Sequence, residues 1–350
     1  MKHTYLEEVR PIIRQYFEIL SDEFPEFLYE YIETPEMKRL KGTSIGCGTD
    51  WTNLFHNKFF HTNLEHSVGV ALIVWHFTKN KKQTLAGLFH DIATPTFKHC
   101  IDFMNGDSKN QESTEEQTEE IIRNSKPIMA LLKRDNITVE EVKDYHMYPI
   151  ADNDTPKLSA DRLEYTFING ITFKEIWDLT KIKQIYDNIE ILTNEEGIQE
   201  LGFKTKEIAE EFVEKASQLW PLWISKEDKL TMQFLADVLK RLGQKQIVTK
   251  QDLYTYSEQE IIEKIQHCGD STIEEAFQKF QQATQVYESD EKQEGTYCVS
   301  IEAKKRYIIP LVKSEQEAIR IDKLSTLAKT RIENFLKWDT KKYIYFDFNF

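Results

Sequence analysis

HTNLEHSVGVALIVWHF, residues 61–77, is apolar on almost every side from Leu64 onward. A run of this length without a polar face reads as a helix sunk in a core, not as an amphipathic surface helix. Thr84–Ile92 reads as a second apolar helix, halted near Pro95 because proline cannot continue one. A third is expected over Phe97–Met104. On the N-terminal side, Tyr5, Val9, Ile12, Ile13, Tyr16 and Phe17 recur at helical spacing, which predicts a helix over 4–20. A short helix and then a glycine-containing loop, GTSIGCGTDW, are expected within 35–60. Further helices are predicted near 126–133, 138–145, 158–169, 228–242 and 271–285. The stretch 295–312 is rich in β-formers and reads as a hairpin or two strands. Residues 322–338 read as a helix, and KYIYFDFNF at the end as a strand. The expected architecture is mostly α: a helical domain over 1–290 followed by a small α+β piece over 291–350.

Composition agrees. The 350 residues include only 12 Gly and 9 Pro. Together that is about 6%, against roughly 12% in average chains. Scarcity of turn-formers favours long helices and argues against a sandwich or propeller. Hydrophobic content of 40% excludes a disordered chain. No apolar run is long enough to predict a transmembrane helix, and the first residues lack the apolar core of a secretion signal. The four cysteines form no CxxC pair and read as free thiols, so a cytoplasmic setting is expected. A net charge of −14 argues against a nucleic-acid coat or an anionic membrane surface as partner.

Three stretches carry chemistry. The first is the quoted helix with His66. The second is LAGLFHDIATPTFKHCIDF, residues 85–103, with the adjacent pair His90–Asp91. The third is LSADRLEYTF, residues 158–167, with Asp161. Imidazole and carboxylate suit a divalent metal of borderline hardness. A helix-terminal His–Asp pair can turn both groups toward one ion. A carboxylate from a distant helix then completes a two-histidine, two-carboxylate site with positions open to water and substrate. Such an ion polarises a phosphoryl oxygen and acidifies bound water. His56, His76 and His146 carry no signal beyond that of ordinary histidines.

The order of these elements is an HS helix, an HD pair some two dozen residues later, then an aspartate after an acidic and helical interval. It resembles the HD superfamily of metal-dependent phosphohydrolases over residues 35–170. The resemblance implies a helical HD bundle, a divalent ion (Mn, Mg, Fe, Co, Ni or Zn) and His66, His90, Asp91 and Asp161 as its ligands. It implies a small phosphate compound, such as a nucleotide, as substrate, and it allows a homo-oligomer. Within the superfamily the pattern is most similar to the deoxynucleoside-triphosphate triphosphohydrolase branch. His99 matches the last histidine of that branch's run after HD, while Thr94 stands where its first would be. Glu115 and Glu116 in TEEQ stand at a His–Glu pair. The implied catalytic residues are Asp91, His99, Glu115 and Arg162. The implied substrate contacts are Asn63, Lys98, Arg162 and Tyr165, with Arg39 and Lys41 in MKRLKG as weaker phosphate candidates. Loss of the two proton-transfer histidines leaves two alternatives open: a metal-retaining nucleotide sensor without turnover, and a phosphodiesterase or nucleotidase of the same superfamily.

The tail differs from the rest. Between Ala303 and Lys342 lie eleven basic and five acidic residues, in a chain that is acidic overall. It is either an ordinary basic surface against an acidic domain or a place that holds an anionic effector or part of the substrate.

Overall fold

A computed structural model describes residues 4–111, 117–338 and 342–350. The structure is about 53% helical, as the composition implies. Helix Asn63–Thr78 is its axis, with every residue from Asn63 to Val74 buried. Its start is fixed by a capping box: Thr62 accepts from the Glu65 amide while the Glu65 carboxylate accepts from the Thr62 amide. Lys79 ends it in the left-handed region, and Asn80 caps the next helix, Lys81–Phe89. The two lie side by side. Helix Ala160–Thr172, capped by Ser159, packs on the same axis.

Several expected elements are shifted for local reasons. The helix expected over 4–20 is two, Tyr5–Glu8 and Pro11–Leu20, because Pro11 begins a helix but cannot sit inside one. The helix expected over 138–145 is replaced by two 3₁₀ turns, Val139–Glu141 and Tyr145–Met147. There the Asp144 carboxylate accepts from the His146 amide, a local bond that competes with helix. The third apolar helix starts only at Cys100, since Phe97 and Lys98 both have positive φ.

Among the described residues, seven strands form two sheets. β1 (Ile189–Thr193) and β2 (Gln199–Phe203) make a hairpin that the sequence reading does not assign. β3 (Tyr287–Ser289) and β4 (Tyr297–Val299) flank β7 (Tyr343–Phe346), while β5 (Leu311–Val312) and β6 (Ile319–Arg320) extend the hairpin in the order β1-β2-β5-β6. The stretch 295–312 is therefore not a hairpin: β4 and β5 belong to different sheets. The chain beyond 290 is correspondingly not a piece by itself. It closes one sheet over helix Lys226–Gln244 and adds strands to another built by residues 189–203. Arg320 secures the second junction, donating to both oxygens of the fully buried Glu200 at 2.7 and 2.8 Å. Between β4 and β5 the chain runs from 300 to 310 without helix or strand.

Two apolar clusters result. The larger surrounds the Asn63–Thr78 helix. The smaller joins Phe97, Cys100 and Ile101 to helix Lys226–Gln244 and to the aromatic end of the chain. A cavity of about 410 Å³ is lined from both, by Tyr145 and Trp223 as well as Cys47 and Met232.

Candidate metal centre

His66 stands on the first turn of its helix with 2% of its side chain exposed. Its Nδ1 donates to the carboxylate of Glu164, which is fully buried. His90 ends its helix and donates from Nδ1 to the Gly87 carbonyl at 2.7 Å. With Nδ1 of each ring turned to an acceptor, each Nε2 faces inward, where a cation would take the place of any proton held there. The two Nε2 atoms are 3.2 Å apart, and Asp161 Oδ1 lies 3.1 Å from the first and 3.7 Å from the second. Nitrogen ligands that share one ion at ordinary bond lengths stand about 3.0–3.4 Å apart. Two inward nitrogens and a carboxylate oxygen at this spacing fit a cation. His66, His90 and Asp161 form the one such group among the described residues, their ligand atoms all within 4.8 Å of one another. Asp91 is beside it rather than within it. Its Oδ2 is 3.4 Å from His90 and 3.7 Å from His66, and it accepts from Lys98 at 2.6 Å.

The electrostatics favour positive charge at this point. Burial lowers the His66 ring, but the carboxylates of Glu164 and Asp161 overcome it and lift the ring to about 9. Burial works to raise Asp161 and Asp91 as well. The imidazoles overcome it at Asp161, Lys98 and His90 at Asp91, and both carboxyls are held below their ordinary range. Behind His66 the polar shell continues. His61 is buried with neither ring nitrogen hydrogen-bonded, 3.4 Å from Glu65 and 3.9 Å from Glu164. Room for Glu164 is made by Gly69, where a Cβ would stand 2.8 Å from its Cγ and Oε1.

The turn after the HD pair presents the next groups. Positive φ at two successive non-glycine residues, Phe97 and Lys98, is costly, and it persists because Phe97 is locked into the smaller core. Lys98 then reaches Asp91 and the Asn63 amide oxygen, while His99 points the other way. His99 Nδ1 donates to the buried Asp102 at 2.9 Å, and its Nε2 accepts from Arg306 at 3.2 Å. Burial lowers the His99 ring, consistent with a neutral imidazole between these partners.

Not every residue named from sequence reaches the cavity. His66, His90, Asp91, Lys98, His99, Asp161, Arg162 and Tyr165 line it. Asn63 does not: it is fully buried, and its oxygen is spent on Lys98. Arg162 lines the cavity with Nε donating to Lys157 O and Nη2 to Asn153 and Asp152, so two of its three nitrogens brace the wall. Arg39 is half-buried and donates to the carbonyls of Ile92 and Thr94, holding the turn after HD, so it is no phosphate candidate. Lys41 pairs with Glu8 on the surface. Glu115 and Glu116 lie outside the described residues. The cavity also contains groups that sequence reading passed over: Tyr145, His146, Trp223, Asp228, Lys304 and Arg306. Trp223 sits edge-on to Tyr165, ring centres 5.3 Å apart. The basic run KKRY was the signal for Lys304 and Arg306. Glu164 was within reach too, since i, i+3 spacing on a helix puts it on the face of Asp161.

No family model matches the chain. The uncharacterized protein YdhJ of Bacillus subtilis is 29% identical over 139 residues, 40% of this chain and 42% of that protein. The metal-dependent phosphohydrolase cns2 of Cordyceps militaris is 25% identical over 176 residues, 50% of this chain and 49% of that protein. The chain spans about half the length of the curated relatives it matches. A phosphohydrolase from Bacteroides thetaiotaomicron has a similar fold, with a TM-score of 0.63 over 92% of this chain and 96% of that one, at 12% identity. Among the described residues no helix is long and apolar enough to cross a membrane.

Proposed function

We propose that the chain is a divalent-metal-dependent phosphohydrolase of the HD superfamily that cleaves a phosphoester or phosphoanhydride bond in a nucleotide or related small phosphate compound. The observation that carries this reading is the convergence of His66 Nε2, His90 Nε2 and Asp161 Oδ1, each imidazole fixed from behind by a hydrogen bond at Nδ1. His66, His90 and Asp161 would hold the ion, with Asp91 as fourth ligand through a small shift of its carboxylate. The bound ion supplies Lewis acidity and a water acidic enough to attack phosphorus. Asp91 and Lys98 bear on the same point from one side: the carboxylate orients, and the ammonium offsets charge that develops on phosphoryl oxygens. His99, assigned to proton transfer by the resemblance, is a neutral imidazole held by Asp102, and its Nε2 accepts from Arg306, so it would take or pass a proton there only when that bond is released. Glu115 is proposed for the same task from the sequence resemblance alone. Arg162 keeps Asp152 and Asn153 in place beside the cavity, and Tyr165 with Trp223 offers a flat apolar wall for a ring-bearing substrate. The triphosphohydrolase branch, a cytoplasmic setting and a homo-oligomer remain part of the proposal, supported by sequence resemblance.

The test combines elemental analysis with a substrate panel of nucleoside mono-, di- and triphosphates and cyclic dinucleotides, assayed with Mn²⁺, Mg²⁺, Fe²⁺ and Co²⁺. Asp161→Ala is expected to lose both metal and hydrolysis. Full activity in that variant sinks the assignment. Binding without turnover across the panel favours the sensor reading, which Thr94 and Glu115 motivate.

A further inference from the structure

The segment between β4 and β5 is pinned along its length. Lys229 Nζ donates to Ile301 O at 3.1 Å, Ser108 Oγ to Glu302 O at 2.9 Å, and the Ile309 amide to Pro156 O at 2.8 Å. Lys305 caps the end of helix Thr326–Leu336, donating to the carbonyls of Leu336 and Trp338 at 2.7 and 2.8 Å. Its neighbours Lys304 and Arg306 line the cavity.

Arg306 differs from Lys98 and Arg162 in that it has no carboxylate partner among the described residues. Lys98 is paired with Asp91, and Arg162 with Asp152. Arg306 uses a single nitrogen, Nη2, on two neutral acceptors: His99 Nε2 at 3.2 Å and Gln111 Oε1 at 2.7 Å. Among the described residues it makes no ion pair, and its Nε and Nη1 have no partner. Asp228 lines the same cavity and feels the guanidinium but forms no ion pair with it, and burial pushes its carboxyl up to about 7. The guanidinium is thus oriented from behind by the Asp102–His99 pair and keeps unspent donors beside a cavity that also holds the metal ligands. An arginine fork with free donors matches a phosphoryl group.

We infer that Arg306, seated on His99 and Gln111, forms an anion subsite that takes a second phosphoryl group of the molecule whose first phosphate meets His66, His90 and Asp161. The inference rests on the phosphohydrolase reading for the first phosphate, while the subsite itself needs no metal. Lys98 and His99 are consecutive, so one backbone turn ties the two subsites together. The chain between the two sheets thereby acquires a role in selecting polyphosphorylated over singly phosphorylated compounds.

The full chain is titrated by calorimetry with inorganic triphosphate and with orthophosphate, metal-free and Mn²⁺-loaded, as wild type, Arg306→Gln and Arg306→Lys. Arg306→Gln is expected to weaken triphosphate binding roughly 10- to 100-fold, the range for hydrogen bonds to a charged group. Orthophosphate binding to Mn²⁺-loaded protein is expected to stay unchanged. Arg306→Lys, which keeps the charge and loses the fork, falls between and serves if the glutamine variant fails to fold by circular dichroism. Equal triphosphate affinity in wild type and Arg306→Gln, absence of triphosphate binding in wild type, or an equal loss for both anions each overturns the subsite. The metal reading fails separately: a protein that retains no Mn²⁺ by elemental analysis, yet binds triphosphate through Arg306, keeps the subsite and loses the phosphohydrolase.

Discussion

Glu164→Gln isolates the contribution of the charge behind His66. The glutamine keeps the volume of the glutamate and an oxygen that can accept from His66 Nδ1, but it removes the negative charge. That charge leads the causes that lift the His66 ring against burial, and the carboxylate is fully shielded from water. Loss of an acceptor behind a metal-binding imidazole typically costs 10- to 100-fold in metal affinity, about 1.4–2.8 kcal/mol. The bond here is charge-assisted and lies in a low dielectric, so the loss is expected toward the upper end of that range. The assay is competition for Mn²⁺ or Zn²⁺ against a chromophoric chelator near neutral pH. Circular dichroism of the metal-free variant checks that the helices persist. Wild-type affinity in a folded Glu164→Gln protein would refute the reasoning, because it would mean either that His66 is not a ligand or that its basicity does not depend on the group behind it.

Gly69→Ala reaches the same carboxylate from the other side: the added methyl must displace Glu164, 2.8 Å away, at a cost of roughly 1–3 kcal/mol in stability. Metal affinity should fall with it, and denaturant titration showing unchanged stability would argue that the cradle is loose. A third expectation concerns pH. Glu258 is buried, accepting from Ser44 N and Trp51 Nε1, and burial pushes its carboxyl up to about 8 from an ordinary 4.5. A carboxyl whose folded pKa is raised gives stability that is complete below the unfolded value and is lost as pH rises through the folded one. Melting temperature should therefore decline between about pH 4.5 and 8, and Glu258→Gln should flatten that decline; the same slope in both proteins would show that other groups set it.

The residues proposed as metal ligands could be picked out because each sits in a short stretch with its own local logic: a buried helix for His66, a helix end for His90–Asp91, a capped helix start for Asp161. The cavity wall was much less legible. Asn63 and Arg39 have the right chemistry for a phosphate contact, yet both are turned to partners within the fold, and that depends on packing across hundreds of residues. Arg306 carried a signal only as part of a basic run, and nothing in that run says that Lys305 turns away from the site while Arg306 turns toward it. The β1–β2 hairpin could have been found. Its turn has Asn194, whose side chain accepts from the amides of Glu196 and Ile198, and Gly197 at positive φ, both turn signals. A division at residue 290 could not have been corrected from sequence, because parallel pairing of β2 with β5 joins segments a hundred residues apart.

The segment between β4 and β5 that lines the cavity also sets a timetable. His66, His90, Asp91 and Asp161 all leave the ribosome before Lys304 and Arg306 are made. At 5–20 residues per second, the interval from residue 161 to residue 304 is roughly 7–30 s. During that time the helices that carry the ligands can pack on the Asn63–Thr78 axis, yet one wall of the cavity does not exist. A nascent chain at this stage would carry the proposed ligands without Lys304 and Arg306 in the wall around them, and those two residues arrive with the segment that leads into β5.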